Sequence, residues 1–107
     1  MASPLQPRDH RLPLAAAARY TAAYRRGRPH DPAHAFAFNR EAYDAILRQD
    51  GCAGVRTYLA RRDDNALTLV LVGVDAQGND MTSGELMQEP DICPPACPAD
   101  SALSRDA

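Results

Sequence analysis

Cys93, Pro94, Pro95, Ala96 and Cys97, followed by Pro98, set two thiols four positions apart across a pair of prolines. Proline fixes its own φ at about −65° and restricts the residue before it, so the thiols are carried on a stiff turn. Three chemistries use such a pair: a disulfide, a metal site or thiol–disulfide exchange. Redox pairs usually keep two residues between the cysteines and sit in a thioredoxin-like βαβ pattern, which this chain lacks. A structural zinc ion takes four ligands. Cys52 and one of His10, His30 or His34 are the residues left to complete such a set, and they show no ligand spacing of their own. Structural cysteines without chemistry come first in this ranking, a local disulfide second, metal third and redox catalysis last.

The remaining reactive types are weaker. Cys52 falls just past the end of a helix, where the backbone dipole disfavours a thiolate, and cysteine is among the most buried residue types. A packed thiol is the reading. His30 and His34 have the interval of a helical metal pair, but Pro32 makes Asp31 a cap and leaves His30 outside any helix. Asp75, Asn79 and Asp80 lack the order of a calcium loop and read as an Asp-Gly-Asn turn. Arg56 and Tyr58 share one strand face and Arg61 and Arg62 follow, a set that could hold an anion or a partner carboxylate but reads first as a solvated strand face. No Ser/His/Asp arrangement, paired-carboxylate site or glycine-rich phosphate loop is visible.

Composition narrows the field further. The 107 residues include twelve Arg and no Lys, which excludes Schiff-base lysines and the lysine of a phosphate-binding loop. Residues 1–62 carry eleven Arg against five acids, whereas residues 63–107 carry one Arg against nine, so a net charge of −2 conceals halves of +6 and −8. The acidic half repels phosphates, which argues against nucleic acid as a partner. No apolar run approaches the roughly 20 residues of a membrane span. Residues 12–18 follow Asp9 and Arg11 and contain Pro13, and they read as a helix start rather than a secretory signal.

The elements that must position these residues are legible in outline. Pro13 and a run of alanines predict a helix to Arg26, with Gly27 as a left-handed cap and Ala16, Ala17, Tyr20, Ala23 and Tyr24 as its apolar face. Residues 34–38 alternate and suit a short strand or a helical lead-in. Asn39 is an N-cap for a second helix ending near Asp50, stapled by Phe38 and Tyr43 and burying Ala42, Tyr43, Ile46 and Leu47. Residues 55–60 and 67–74 form an antiparallel pair, and a weak further strand follows within residues 81–88. On the second strand Leu67, Leu69 and Leu71 take one face and Val70, Val72 and Val74 the other, so both faces demand cover.

Three blocks together carry a resemblance. Gly51, Cys52, Gly54, Arg56 and Tyr58, then the run Thr68–Asp75, then Cys93, Pro94, Pro95 and Cys97 give a GCxGxRxY, TLVLVGVD and CPPxC order. In that order the chain resembles a group of small uncharacterised proteins of Bacteroidetes bacteria, over most of residues 12–98. The resemblance implies a bacterial source and a cytoplasmic location, and no catalytic role.

These readings converge on a single α+β domain over residues 12–98, two helices packed on a small, mainly antiparallel sheet, between a disordered leader (1–11) and a disordered tail (99–107). The expected function is non-enzymatic, with no cofactor: an assembly protein that associates with itself through Val70, Val72 and Val74, because two helices cover one sheet face only. The alternative is a small-ligand or metal-binding module using Cys93 and Cys97, and an enzyme built on Cys52 and a histidine ranks third.

Overall fold

The computed structural model describes residues 2–27 and 29–105. The order of elements is α1 (Leu14–Arg26), β1 (Ala35–Ala37), α2 (Arg40–Leu47), β2 (Cys52–Arg61), β3 (Leu67–Asp75), β4 (Leu86–Met87) and β5 (Asp91–Cys93). Strands β2, β3 and β4 form a three-stranded antiparallel sheet in that order, and β1 pairs with β5 as a second, two-stranded sheet. The α+β class is therefore as the pattern predicts. The chain gathers into two compact units: one from residues up to Pro7 with Phe36–Asp91, the other from Arg8–Ala35 with residues from Ile92 onward.

In the first unit β2 and β3 are paired from end to end, with Arg56 opposite Val72 and Leu59 opposite Leu69, broken only by a bulge between Cys52 and Gly54. Their β-branched and aromatic residues suit a pleated ladder. The loop between them closes with Arg62 N–H donating to the Ala66 carbonyl at 2.9 Å. The turn after β3 is built by the Asp75 carboxylate, which accepts from the Gln77 and Asn79 amides at 3.0 and 2.9 Å. Gly78 completes it at φ 89°, a conformation that favours glycine.

Helix α2 starts where Asn39 predicts. The Asn39 carboxamide oxygen accepts from Ala42 N–H at 3.1 Å, and the Phe38 and Tyr43 rings meet edge to face with centroids 6.2 Å apart. The helix ends at Leu47, three residues early, and Gly51 at φ 81° turns the chain into β2. Its inward stripe is half-buried Ala42, Ala45 and Gln49 around Ile46; Ile46 is 0% exposed and, with Leu71, among the most buried side chains, whereas Leu47 is 50% exposed. Tyr43 is also exposed, so the stripe expected at Tyr43 and Leu47 is corrected by a rotation of about one residue. Gln49 explains the rotation. It donates to the Ile46 carbonyl at 2.9 Å and accepts from Glu85 N–H at 2.8 Å, in space that Gly73 and Gly84 leave by having no Cβ. A polar residue satisfied at both ends of its amide holds the helix phase.

The valine face of β3 is not open. Val72 and Val74 are 2% and 1% exposed and only Val70 is half-buried. Residues 2–7 carry no helix or strand, yet Leu5 lies over this face, its Cδ1 so near Gly54 that a Cβ there would stand 2.7 Å away.

In the second unit α1 begins after Pro13 as expected, but Gly27 has φ −68° and extends the helical turn instead of reversing it. Tyr20, 65% exposed, and Tyr24 do not supply buried area; Ala22 is the buried residue, flanked by half-buried Ala18, Thr21 and Arg25. The tyrosines lie two positions from Ala18 and Ala22 and so about half a turn round the helix. The covered side faces the chain's end: Arg25 donates to the carbonyls of Leu103 and Arg105, each at 2.6 Å. Residues 101–105 run through turns, and the Arg25 guanidinium engages two of their carbonyls as a fork. Among the described residues no helix is long and apolar enough to cross a membrane.

Candidate functional site

The thiol pair finds its histidine within the second unit. The Asp31 carboxylate accepts from Ala33 N–H at 3.0 Å and Ala33 is buried, which fixes the entry to β1. His34 N–H then donates to the Cys93 carbonyl at 2.8 Å, extending the β1–β5 pairing by one residue and setting the two side chains abreast. His34 Nε2 lies 3.8 Å from Cys93 Sγ. After Cys93 the chain reverses through Pro94 and Pro95, with Ala96 N–H donating to the Ile92 carbonyl and Cys97 N–H to that of Pro95, both at 2.9 Å. Cys93 and Cys97 are joined as a disulfide with their Cα atoms 4.7 Å apart. Cys93 is buried, His34 half-buried and Cys97 exposed, and their ligand atoms all lie within 4.8 Å of one another.

Of the residues weighed for completing a metal set, His34 alone joins the cysteines. His10 and His30 are exposed, and residues 30–34 are not helical, so the four-residue interval does not stack the two rings. Cys52 is a free thiol in the first unit, donating to the Gly54 carbonyl at 3.2 Å. It is half-buried at the start of β2, in agreement with a packed thiol.

The arginine set is engaged within the chain. Asp80, from the turn beyond β3, takes Arg56 Nη1 at 2.5 Å and also accepts from the Tyr58 hydroxyl. Those bonds, the Tyr58 one foremost, hold the Asp80 carboxyl below its ordinary range, and the same bond to Asp80 raises the Tyr58 phenol. Arg62 pairs with Asp64 at 2.8 Å, and Arg61 donates to the Asn65 carbonyl at 3.1 Å. A cleft of about 460 Å³ beside them is lined by Arg61 and Arg62 but equally by Asp63, Asp64 and Glu89, so it offers no net positive field to an anion. Asp80 as the partner of Arg56 is the residue that sequence reasoning missed; its signal was one acid in the turn that must lie beside the strand carrying Arg56.

A different surface emerges at β2. The Arg62–Ala66 bond fixes the phase of the ladder: the even-numbered residues 54–60 bond to β3, and Val55, Thr57, Leu59 and Arg61 turn their N–H and C=O groups to the outer side. Among the described residues no strand pairs with that side, because β2 ends the sheet. Leu59 is 77% exposed and stands opposite half-buried Leu69, with half-buried Leu67 on the same face. Leu59 is thus an exposed apolar side chain at the hairpin end, next to an open strand edge.

No family model, curated protein or solved structure matches the chain.

Proposed function

We propose that this chain is a cytoplasmic, non-enzymatic assembly protein that associates with itself by pairing β2 of one copy with β2 of a second. The observation that carries the reading is the unpaired edge of a ten-residue strand with Leu59 beside it. Open edges of that length are templates for another chain, and natural proteins usually blunt them with charge, proline or bulges. Here the bulge lies at the Cys52 end, Arg61 closes the other, and the segment between them is uncharged on its outward-facing positions Val55, Thr57 and Leu59.

A two-fold axis at Thr57 gives an antiparallel pair in which Val55 of each copy meets Leu59 of the other and Arg56 meets Tyr58. Four apolar side chains, Val55 and Leu59 of each copy, then pack side by side across the seam of a six-stranded sheet, and self-complementarity arises from one sequence without any further device. This register supports the second copy over an unrelated partner. Sedimentation velocity over a hundredfold range of concentration tests the reading, with Thr57→Pro as the directed variant. Proline there removes an outward N–H and leaves the β3 ladder intact. The wild type is expected to dimerise and the variant to remain monomeric with an unchanged far-ultraviolet spectrum. A wild type that stays monomeric at the highest concentration refutes the proposal. A second reading, metal binding, is favoured by the approach of His34 to the two cysteines.

A further inference from the structure

We propose that His34, Cys93 and Cys97 form a thiol-gated site for a thiophilic divalent cation of the zinc class, closed while the cysteines are joined and opened by their reduction. The site is independent of the β2 edge and of self-association.

The geometry carries the argument. A tetrahedral zinc ion with Zn–S of about 2.3 Å and Zn–N of about 2.05 Å separates sulfur from nitrogen by about 3.6 Å and sulfur from sulfur by about 3.8 Å. The His34 Nε2 to Cys93 Sγ distance is 3.8 Å, so one edge of that tetrahedron is already at length. This edge is held by backbone as well as by side chains, because His34 N–H is bonded to the carbonyl of Cys93 itself. The third corner is the mobile one. Cys97 is exposed, so its side chain can turn away from Cys93 about its own χ1 once the S–S bond is gone, without moving anything buried. Three protein ligands leave a fourth position to water or to an exogenous group, the pattern of open rather than closed zinc sites.

The gating step balances as thiol–disulfide exchange. A dithiol reductant transfers two electrons and two protons: its thiolate attacks one sulfur, the Cys93–Cys97 bond breaks, and the reductant leaves as its own disulfide. The cation then binds the two sulfurs as thiolates and the neutral His34 imidazole, releasing two protons, so apparent affinity rises with pH. Joined cysteines offer no thiolate, and the imidazole alone is a weak ligand. The ligand group consists of His34, Cys93 and Cys97, and Cys52 is the remaining thiol.

Cobalt(II) serves as the probe, titrated anaerobically into the whole protein reduced by a phosphine and, in parallel, into the oxidised protein. The reduced chain is expected to take up one cobalt ion with thiolate-to-cobalt charge transfer and the intense visible bands of a tetrahedral ion, both abolished by one equivalent of zinc. The oxidised chain is expected to show neither. Cys52→Ser should leave the spectrum unchanged. His34→Ala should weaken cobalt binding by at least the ~10- to 100-fold that even an outer-shell change costs. Reduced wild type that takes up no cobalt, a His34→Ala variant that binds as tightly as the wild type, or loss of the site in Cys52→Ser each overturns the proposal. The comparison of oxidised and reduced wild type needs no variant, so misfolding of a substituted chain cannot imitate the result.

Discussion

Ile46 and Leu47 are neighbours on α2 with opposite fates, and truncating each to alanine separates burial from mere hydrophobicity. Ile46→Ala removes three carbons from a side chain that is 0% exposed. At about 0.8 kcal/mol per buried carbon the transfer loss is about 2.4 kcal/mol. The site cannot collapse freely, because Ile46 is fully buried and Gln49 fixes the end of the helix at both ends of its amide. A residual cavity raises the cost to about 3–4 kcal/mol, inside the ~2–5 kcal/mol seen for such truncations. Leu47→Ala removes the same number of carbons from a side chain that is 50% exposed, opens no closed cavity, and introduces the best helix former. Its cost is at most about 1 kcal/mol. Urea denaturation followed by far-ultraviolet circular dichroism measures both, with equal slopes required so that the midpoints report stability alone. Equal losses, or the greater loss at Leu47, would refute the helix phase and with it the role given to Gln49.

Two further outcomes follow from hydrogen bonds at the ends of elements. Asn39→Ala removes the acceptor for Ala42 N–H and should cost about 1 kcal/mol in the same denaturation, whereas Asn39→Asp should retain most of it. Asp80 is held below the ordinary carboxylate range by Tyr58 and Arg56, so its contribution is fully present above the unfolded value near pH ~3.9. That contribution is lost as pH falls through the lower folded value. Asp80→Asn should therefore flatten the acid limb of urea midpoint against pH, and an unchanged limb would show that the Arg56–Tyr58–Asp80 cluster contributes no pH-linked stability.

The fold was legible where the signal is local. Asn39, the Phe38 and Tyr43 rings, the loop between β2 and β3 and the Asp75 turn are all decided within a few residues, by capping, by ring packing or by an aspartate that bonds its own backbone. What the pattern could not supply came from contacts distant in sequence. Tyr20 and Tyr24 are the largest apolar residues of α1, and periodicity assigns them to its buried side. The helix instead uses small Ala18 and Ala22, because its neighbour is a short turn drawn in by Arg25, which asks for close approach rather than area. His34 was one of three histidines that spacing ranked equally. Only the pairing of β1 with β5, across some sixty positions, brings it to Cys93.

The faces of the sheet are the most instructive case, since the pattern asks for cover over the valines and the structure buries Val72 and Val74 within the chain. β3 is apolar on both faces, and a count of helices says only that one face lacks a helix layer. It does not say that the layer is lacking everywhere. The valine face is closed at the Val72 and Val74 end partly by Leu5, from a segment whose prolines and polar residues have no periodicity to betray it. On the leucine face Gln49, just past the end of α2, reaches Gly73, whereas at the hairpin end Leu67 and Leu69 are half-buried and Leu59 is exposed. Cover is therefore set by the length of each covering element along the strand as well as by the number of such elements. Because Leu59 stands on the edge strand itself, one arriving strand can pair the open backbone of β2 and pack beside Leu59 in the same contact.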